Sequence, residues 1–96
     1  MDQRPRSPRV PVDFPLDVEG TDESGQAFQA KGTAEKISHA GATIVIDVDV
    51  PVGSKVTLVQ ASGAKLAAEV NGSWIDDLDG KRRIGVRLLE TNGWFA

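Results

Sequence analysis

Val10-Pro11-Val12-Asp13-Phe14-Pro15-Leu16-Asp17-Val18 is the stretch from which the rest of the chain can be read. Apolar side chains stand at 10, 12, 14, 16 and 18, with Pro11, Asp13, Pro15 and Asp17 between them. An extended backbone sends successive side chains to opposite faces, so this period of two predicts a half-buried strand. A helix would need apolar residues every three to four positions. Pro11 and Pro15 lack the N–H that a sheet ladder uses. They predict a strand at an edge, or one whose proline positions turn outward.

The same period continues downstream. A turn-rich connection, Gly20 to Gln26, leads to a second strand over Phe28–Ile37, weakened in the middle by Gly32. A third strand is predicted over Ala42–Val48, with Ala42, Ile44, Ile46 and Val48 on one face and Thr43, Val45 and Asp47 on the other. Pro51 and Gly53 mark the next turn. The fourth strand, Lys55–Gln60, carries Val56 and Leu58. Ser62-Gly63 reads as a tight hairpin turn. The fifth strand, Lys65–Ile75, places Leu66, Ala68, Val70 and Trp74 inward. An acidic loop, Asp76–Gly80, precedes a sixth strand over Lys81–Leu89 with Ile84, Val86 and Leu88 on one face. Six short strands with turn signals about every ten residues predict an all-β sandwich or barrel.

Composition narrows the function classes. Ninety-six residues, 40% hydrophobic and 26% charged, suit one globular domain with one modest core. The absence of cysteine excludes disulfides, thiol catalysis and cysteine-based zinc sites. No apolar run approaches the length of a membrane helix, and the N-terminus has no signal-peptide core, so a cytoplasmic protein without membrane attachment is expected. The charge is uneven. Arg4, Arg6 and Arg9 face only Asp2 in the first nine residues, and since the whole chain carries −3 the remainder carries five excess negative charges. An acidic body argues against a polynucleotide partner, while a basic arm can still hold a small anion.

The conspicuous single residues favour structural roles. His39 is the sole histidine and has no readable catalytic or metal-binding partners. Asp76, Asp77 and Asp79 lack the later bidentate glutamate of a calcium loop and read as a solvated hairpin loop. Trp74 reads as core. Trp94 and Phe95 read as an end cover or a partner surface. Neither a nucleophile–base pair nor a metal cluster is legible, so no catalytic residues, metal or cofactor are expected.

Several segments taken together resemble the PilZ domain family. They are the arginine arm, Arg9-Val10-Pro11-Val12, Ile37-Ser38-His39-Ala40-Gly41-Ala42, Val52-Gly53, Trp74, and Arg83-Ile84-Gly85-Val86-Arg87-Leu88. The resemblance runs from about Arg4 to Leu89. It implies a six-stranded antiparallel β-barrel over residues 9–96, with a flexible basic N-terminal arm over residues 1–8. It also implies a receptor for cyclic di-GMP, bound through Arg-x-x-x-Arg before the first strand and Asp/Asn-x-Ser-x-x-Gly between the second and third. The arginine fork suits guanine O6 and N7 and the phosphodiester. The Asp or Asn accepts from the donor edge of guanine, Ser adds a hydrogen bond, and Gly gives the turn backbone freedom.

On this pattern the ligand-binding residues are Arg4, Arg6, Arg9, Lys36, Ser38 and Gly41. Two positions depart from it. Pro5 stands four residues before Arg9, flanked by Arg4 and Arg6, and Lys36 stands at the acceptor position. Lysine only donates, so its expected contact is a phosphate. The family role is a stand-alone module that signals through an unidentified protein effector. The alternative is an adaptor that has lost the nucleotide and works by protein–protein interaction.

Overall fold

The alternation over Val10–Val18 becomes the start of β1 (Val10–Thr21) in the computed structural model, which describes residues 10–21 and 24–89. β2 (Ala27–Ile37), β3 (Gly41–Ile46), β4 (Lys55–Gln60), β5 (Lys65–Ile75) and β6 (Arg82–Leu88) follow, and the described residues contain no helix. All neighbouring strands run antiparallel and close into a barrel in the order β1-β2-β3-β6-β5-β4. Closure at β1–β4 pairs Leu16–Gly20 with Val56–Gln60. Pro11 and Pro15 lie in the half of β1 beyond that ladder. There a missing N–H leaves no gap in the β4 pairing, which accounts for proline inside a barrel strand.

The core is built from the predicted inward positions. Val18, Ile44, Leu58 and Ile84 are fully enclosed, with Leu66, Ala68, Val70, Val86 and Leu88 around them. Burying each large aliphatic side chain stabilises the barrel by about 1.5–3 kcal/mol before entropy is counted. Val12 and Phe14 pack on the core only partly, and Val10 is exposed, so the apolar face of β1 fades toward its start. The β4–β5 hairpin turns through Gly63 at φ 92°. Gly63 N donates to Gln60 O (2.8 Å) and Gln60 N to Ala64 O (2.9 Å).

Two predicted core positions are wrong. The third strand ends at Ile46, and Val48 is exposed, while Val50 enters the core in its place. Trp74 is 41% exposed on the outer surface. The register between β5 and β6 shifts between Val70 and Gly72, so Val70 faces Val86 but Gly72 faces Gly85 and Trp74 faces Arg83. One extra residue in a strand exchanges its inner and outer faces. The indole then lies over bare backbone. A Cβ added to Gly72 would stand 3.3 Å from Trp74 Cζ3, and one added to Gly85 would stand 3.6 Å from it.

Candidate functional site

Val10, which follows Arg9 in the chain, pairs with Ile37, the residue before Ser38. The start of β1 therefore lies beside the Ser38–Gly41 turn, at one end of the β1–β2 ladder. Arg4, Pro5, Arg6 and Arg9, and also Trp94 and Phe95, lie outside the described residues, as does the predicted boundary between arm and barrel.

The connection between β2 and β3 is a tight polar turn. Ser38 Oγ accepts from Ala40 N and from Gly41 N, both at 3.2 Å, and Ser38 N donates to Gly41 O at 2.9 Å. Leu88 N donates to Ala40 O at 2.7 Å, which ties the turn to β6. Serine is suited to this position because its short hydroxyl reaches backbone donors two and three residues on. Ser38 is buried, while Lys36, His39 and Ala40 are exposed.

Gly41 is required for a reason other than the expected one. Its φ is not among the positive values, which occur at Gly25, Gly53, Gly63 and Gly80. A Cβ at 41 would instead come 2.1 Å from Val86 O. Glycine here permits a close approach of β3 to β6.

The outer face beside the turn holds a charged assembly that the sequence reading missed. The β2–β3 ladder shifts register between Ala34 and Lys36. Ala34 and Ile37 are buried and the two residues between them are not, as expected of a bulge that turns consecutive side chains outward. Glu35, thus displaced, meets Arg83 on β6. Arg83 Nε donates to Glu35 Oε1 at 2.7 Å and Nη2 to Oε2 at 3.0 Å. The other side of the same guanidinium donates to Asp79, Nη1 to Oδ1 and Nη2 to Oδ2, both at 2.9 Å. Asp76 lies 3.6 Å from Nη1.

Asp76 and Asp79 were read as a solvated loop, but they are drawn back onto the barrel. Their carboxylates also shape the β5–β6 turn, accepting from Leu78 N and Lys81 N. The Arg83 hydrogen bond holds Glu35 below the usual carboxylate range, against the opposing effect of burial. Asp79 is held lower still, first by Arg83 and then by Lys81 N–H. Arg83 is correspondingly raised, by Asp79 and then Glu35. Arg83, Asp76 and Asp79 stand in segments that the sequence singles out, but Glu35 does not, because its meeting with Arg83 depends on the register between β2, β3 and β6.

Two other surface features stand apart from the turn. An open groove of about 710 Å³ is lined by Pro15, Lys31, Val45, Ile75 and Arg82 among others, and by no residue of the Ser38–Gly41 turn. The β5–β6 hairpin exposes Ile75 (55%) and Leu78 (95%) beside Trp74. Among the described residues no group of His, Asp and Glu could hold a metal ion. No helix there is long and apolar enough to cross a membrane.

Comparison with known proteins places this geometry. The family model for the PilZ domain matches residues 3–93. No curated protein sequence matches the chain. Among solved structures, the Bacillus subtilis inhibitor of motility MotI/DgrA superposes with a TM-score of 0.69 at 19% identity, over 94% of this chain and 44% of that one. The K. pneumonia MrkH–c-di-GMP complex gives 0.68 at 16%, over 93% and 46%. The PilZ domain with c-di-GMP of YcgR from Escherichia coli gives 0.61 at 15%, over 92% and 79%. The chain spans less than half the length of the first two.

Proposed function

The chain belongs to the PilZ domain family, and we propose that it is a receptor module that binds cyclic di-GMP and signals through a protein effector. The observation that carries this reading is the meeting of Val10 with Ile37, which brings the residue after Arg9 beside the Ser38–Gly41 turn. In the proposed site Arg9, with Arg4 or Arg6, grips guanine and phosphate. Ser38 holds the turn in shape and presents its outer surface, and Gly41 lets β3 sit close to β6. Lys36, exposed beside the turn, pairs with a phosphate oxygen. Residues 1–8 form the arm and 9–96 the barrel. The module acts in the cytoplasm and carries out no catalysis. Two of the similar structures hold c-di-GMP, as their descriptions state, which supports the choice of ligand.

Calorimetric titration of the purified protein with cyclic di-GMP tests this. Saturable binding that Arg9→Ala weakens at least tenfold is the expected result. No saturable heat at sub-millimolar ligand overturns it.

A second reading is favoured by one feature. Lys36, a pure donor, occupies the position where an acceptor for guanine is expected, and the β5–β6 hairpin exposes Ile75 and Leu78. Both suit an adaptor that binds protein without nucleotide. A silent titration, with the barrel shown folded by its melt, selects that reading.

A further inference from the structure

The acceptor absent at Lys36 has a replacement one residue away. The bulge between Ala34 and Lys36 turns Glu35 to the same outer face as Lys36, three residues ahead of Ser38. Resting on the cyclic di-GMP reading above, we infer that Glu35 is the guanine-recognising carboxylate of this chain, released to the ligand by an exchange at Arg83.

The geometry of the pair suits such an exchange. Guanine presents two parallel donors, N1–H and N2–H, spaced as are the two N–H groups of an arginine fork. Glu35 now meets such a fork, Nε and Nη2 of Arg83, with both of its oxygens. The Glu35 side chain is 32% exposed, so a ligand can reach it from solvent. Arg83 is held twice. Asp79 grips its Nη1–Nη2 edge with two bonds of 2.9 Å, and Asp76 stands 3.6 Å away. When guanine takes the Glu35 carboxylate, Arg83 stays paired with Asp79. Exchange therefore leaves no guanidinium charge uncompensated, which would otherwise be the main obstacle to opening a partly buried ion pair. Lys36, beside Glu35 and exposed, is free to meet the phosphate. The bulge thus restores the acceptor at Glu35 and leaves Lys36 to add a phosphate contact that the family pattern does not place at this position.

A carboxylate acceptor also fixes base choice. Adenine carries an acceptor at N1, where guanine carries a donor, and a carboxylate repels it. The site should reject cyclic di-AMP by about tenfold to a hundredfold or more, since a bidentate base contact discriminates on that scale.

Titrations of wild type, Glu35→Gln and Arg83→Lys with cyclic di-GMP and cyclic di-AMP test the inference, with a thermal melt of each variant. Expected are a clear preference of wild type for cyclic di-GMP, and at least tenfold weaker cyclic di-GMP binding by Glu35→Gln. Arg83→Lys removes the fork but keeps the carboxylate, so it should bind as tightly as wild type or tighter, even though its melt falls. Three results overturn the inference while leaving cyclic di-GMP binding intact. They are equal binding of both nucleotides by wild type, Glu35→Gln within twofold of wild type, or a loss in Arg83→Lys matching that in Glu35→Gln. The first needs no variant to fold. Absence of binding by wild type overturns the receptor reading and this inference together.

Discussion

The Ser38–Gly41 turn enters β3 at its start, the Arg83 clamp has its arginine opposite Val45 near the end of the same strand, and the two are held by different means. The turn is neutral. Its side-chain bonds join residues two or three apart, while the bond from Leu88 N to Ala40 O and the close approach of Gly41 to Val86 O fix it to β6. The clamp is charged and joins a local partner to a remote one: Asp79 lies four residues from Arg83, and Glu35 reaches it across 48 residues of sequence and across the β3 strand. Both regions combine contacts between chain neighbours with contacts that need β6 in place, but the first is held by steric fit and neutral bonds and the second by charge.

Substitutions can break this contrast in order of size. Gly41→Ala should have the largest effect. Backbone rather than a mobile side chain meets the new Cβ, so the loss should be about 3 kcal/mol or more, or no folded protein at all, by urea denaturation. A loss below about 1 kcal/mol would mean that β3 and β6 can separate, and that the turn is not sterically fixed.

Arg83→Gln comes next, because it leaves Glu35 and Asp79 without their partner. It should lower the melting temperature more than Arg87→Gln, whose single ion pair with Glu69 is more open to solvent. The difference depends on pH. Both clamp carboxylates have folded pKa values below their ordinary 4.5 and 3.8. Their contribution is therefore complete above those ordinary values and is lost as pH falls through the depressed ones. The gap in stability between wild type and Arg83→Gln should be widest near neutrality and close in acid. A gap that does not change with pH would show that Arg83 acts through packing.

Ser38→Ala should cost least, about 1 kcal/mol, since it removes one acceptor from two backbone donors. That loss should be indifferent to salt and pH, which sharpens the contrast with the clamp.

The difference between contacts of chain neighbours and contacts across strands decides what could be read from the chain beforehand. The strands were legible because a period of two is a local signal, and β4 and β5 were placed to the residue. Ser38 and Ser62-Gly63 were legible as turns for the same reason. Trp74 was misplaced because one bulge, beside Gly72, turns it to the outer face, and the glycine was not read as the mark of a bulge. Val50 was missed because it enters the core from a loop, where periodicity carries no information. Glu35 gave no signal as a single carboxylate in a strand. Its meaning comes from a second bulge and from an arginine four strands later in the sequence. The arm's arginines were read from charge and position alone and lie outside the described residues.

The strand order has a kinetic consequence. Reading β1-β2-β3 and β6-β5-β4 as two hairpin-connected meanders, each forms from neighbours in sequence, and only two seams, β1–β4 and β3–β6, join them. Both seams link residues roughly forty apart in the chain, so each closes a long loop before it gains any ladder bonds. The barrel should assemble as two preformed sheets that dock, on the millisecond-to-second scale of non-local β topologies. Gly41 lies on one of the two seams. The residue that shapes the turn in the native state is also among the last to find its place.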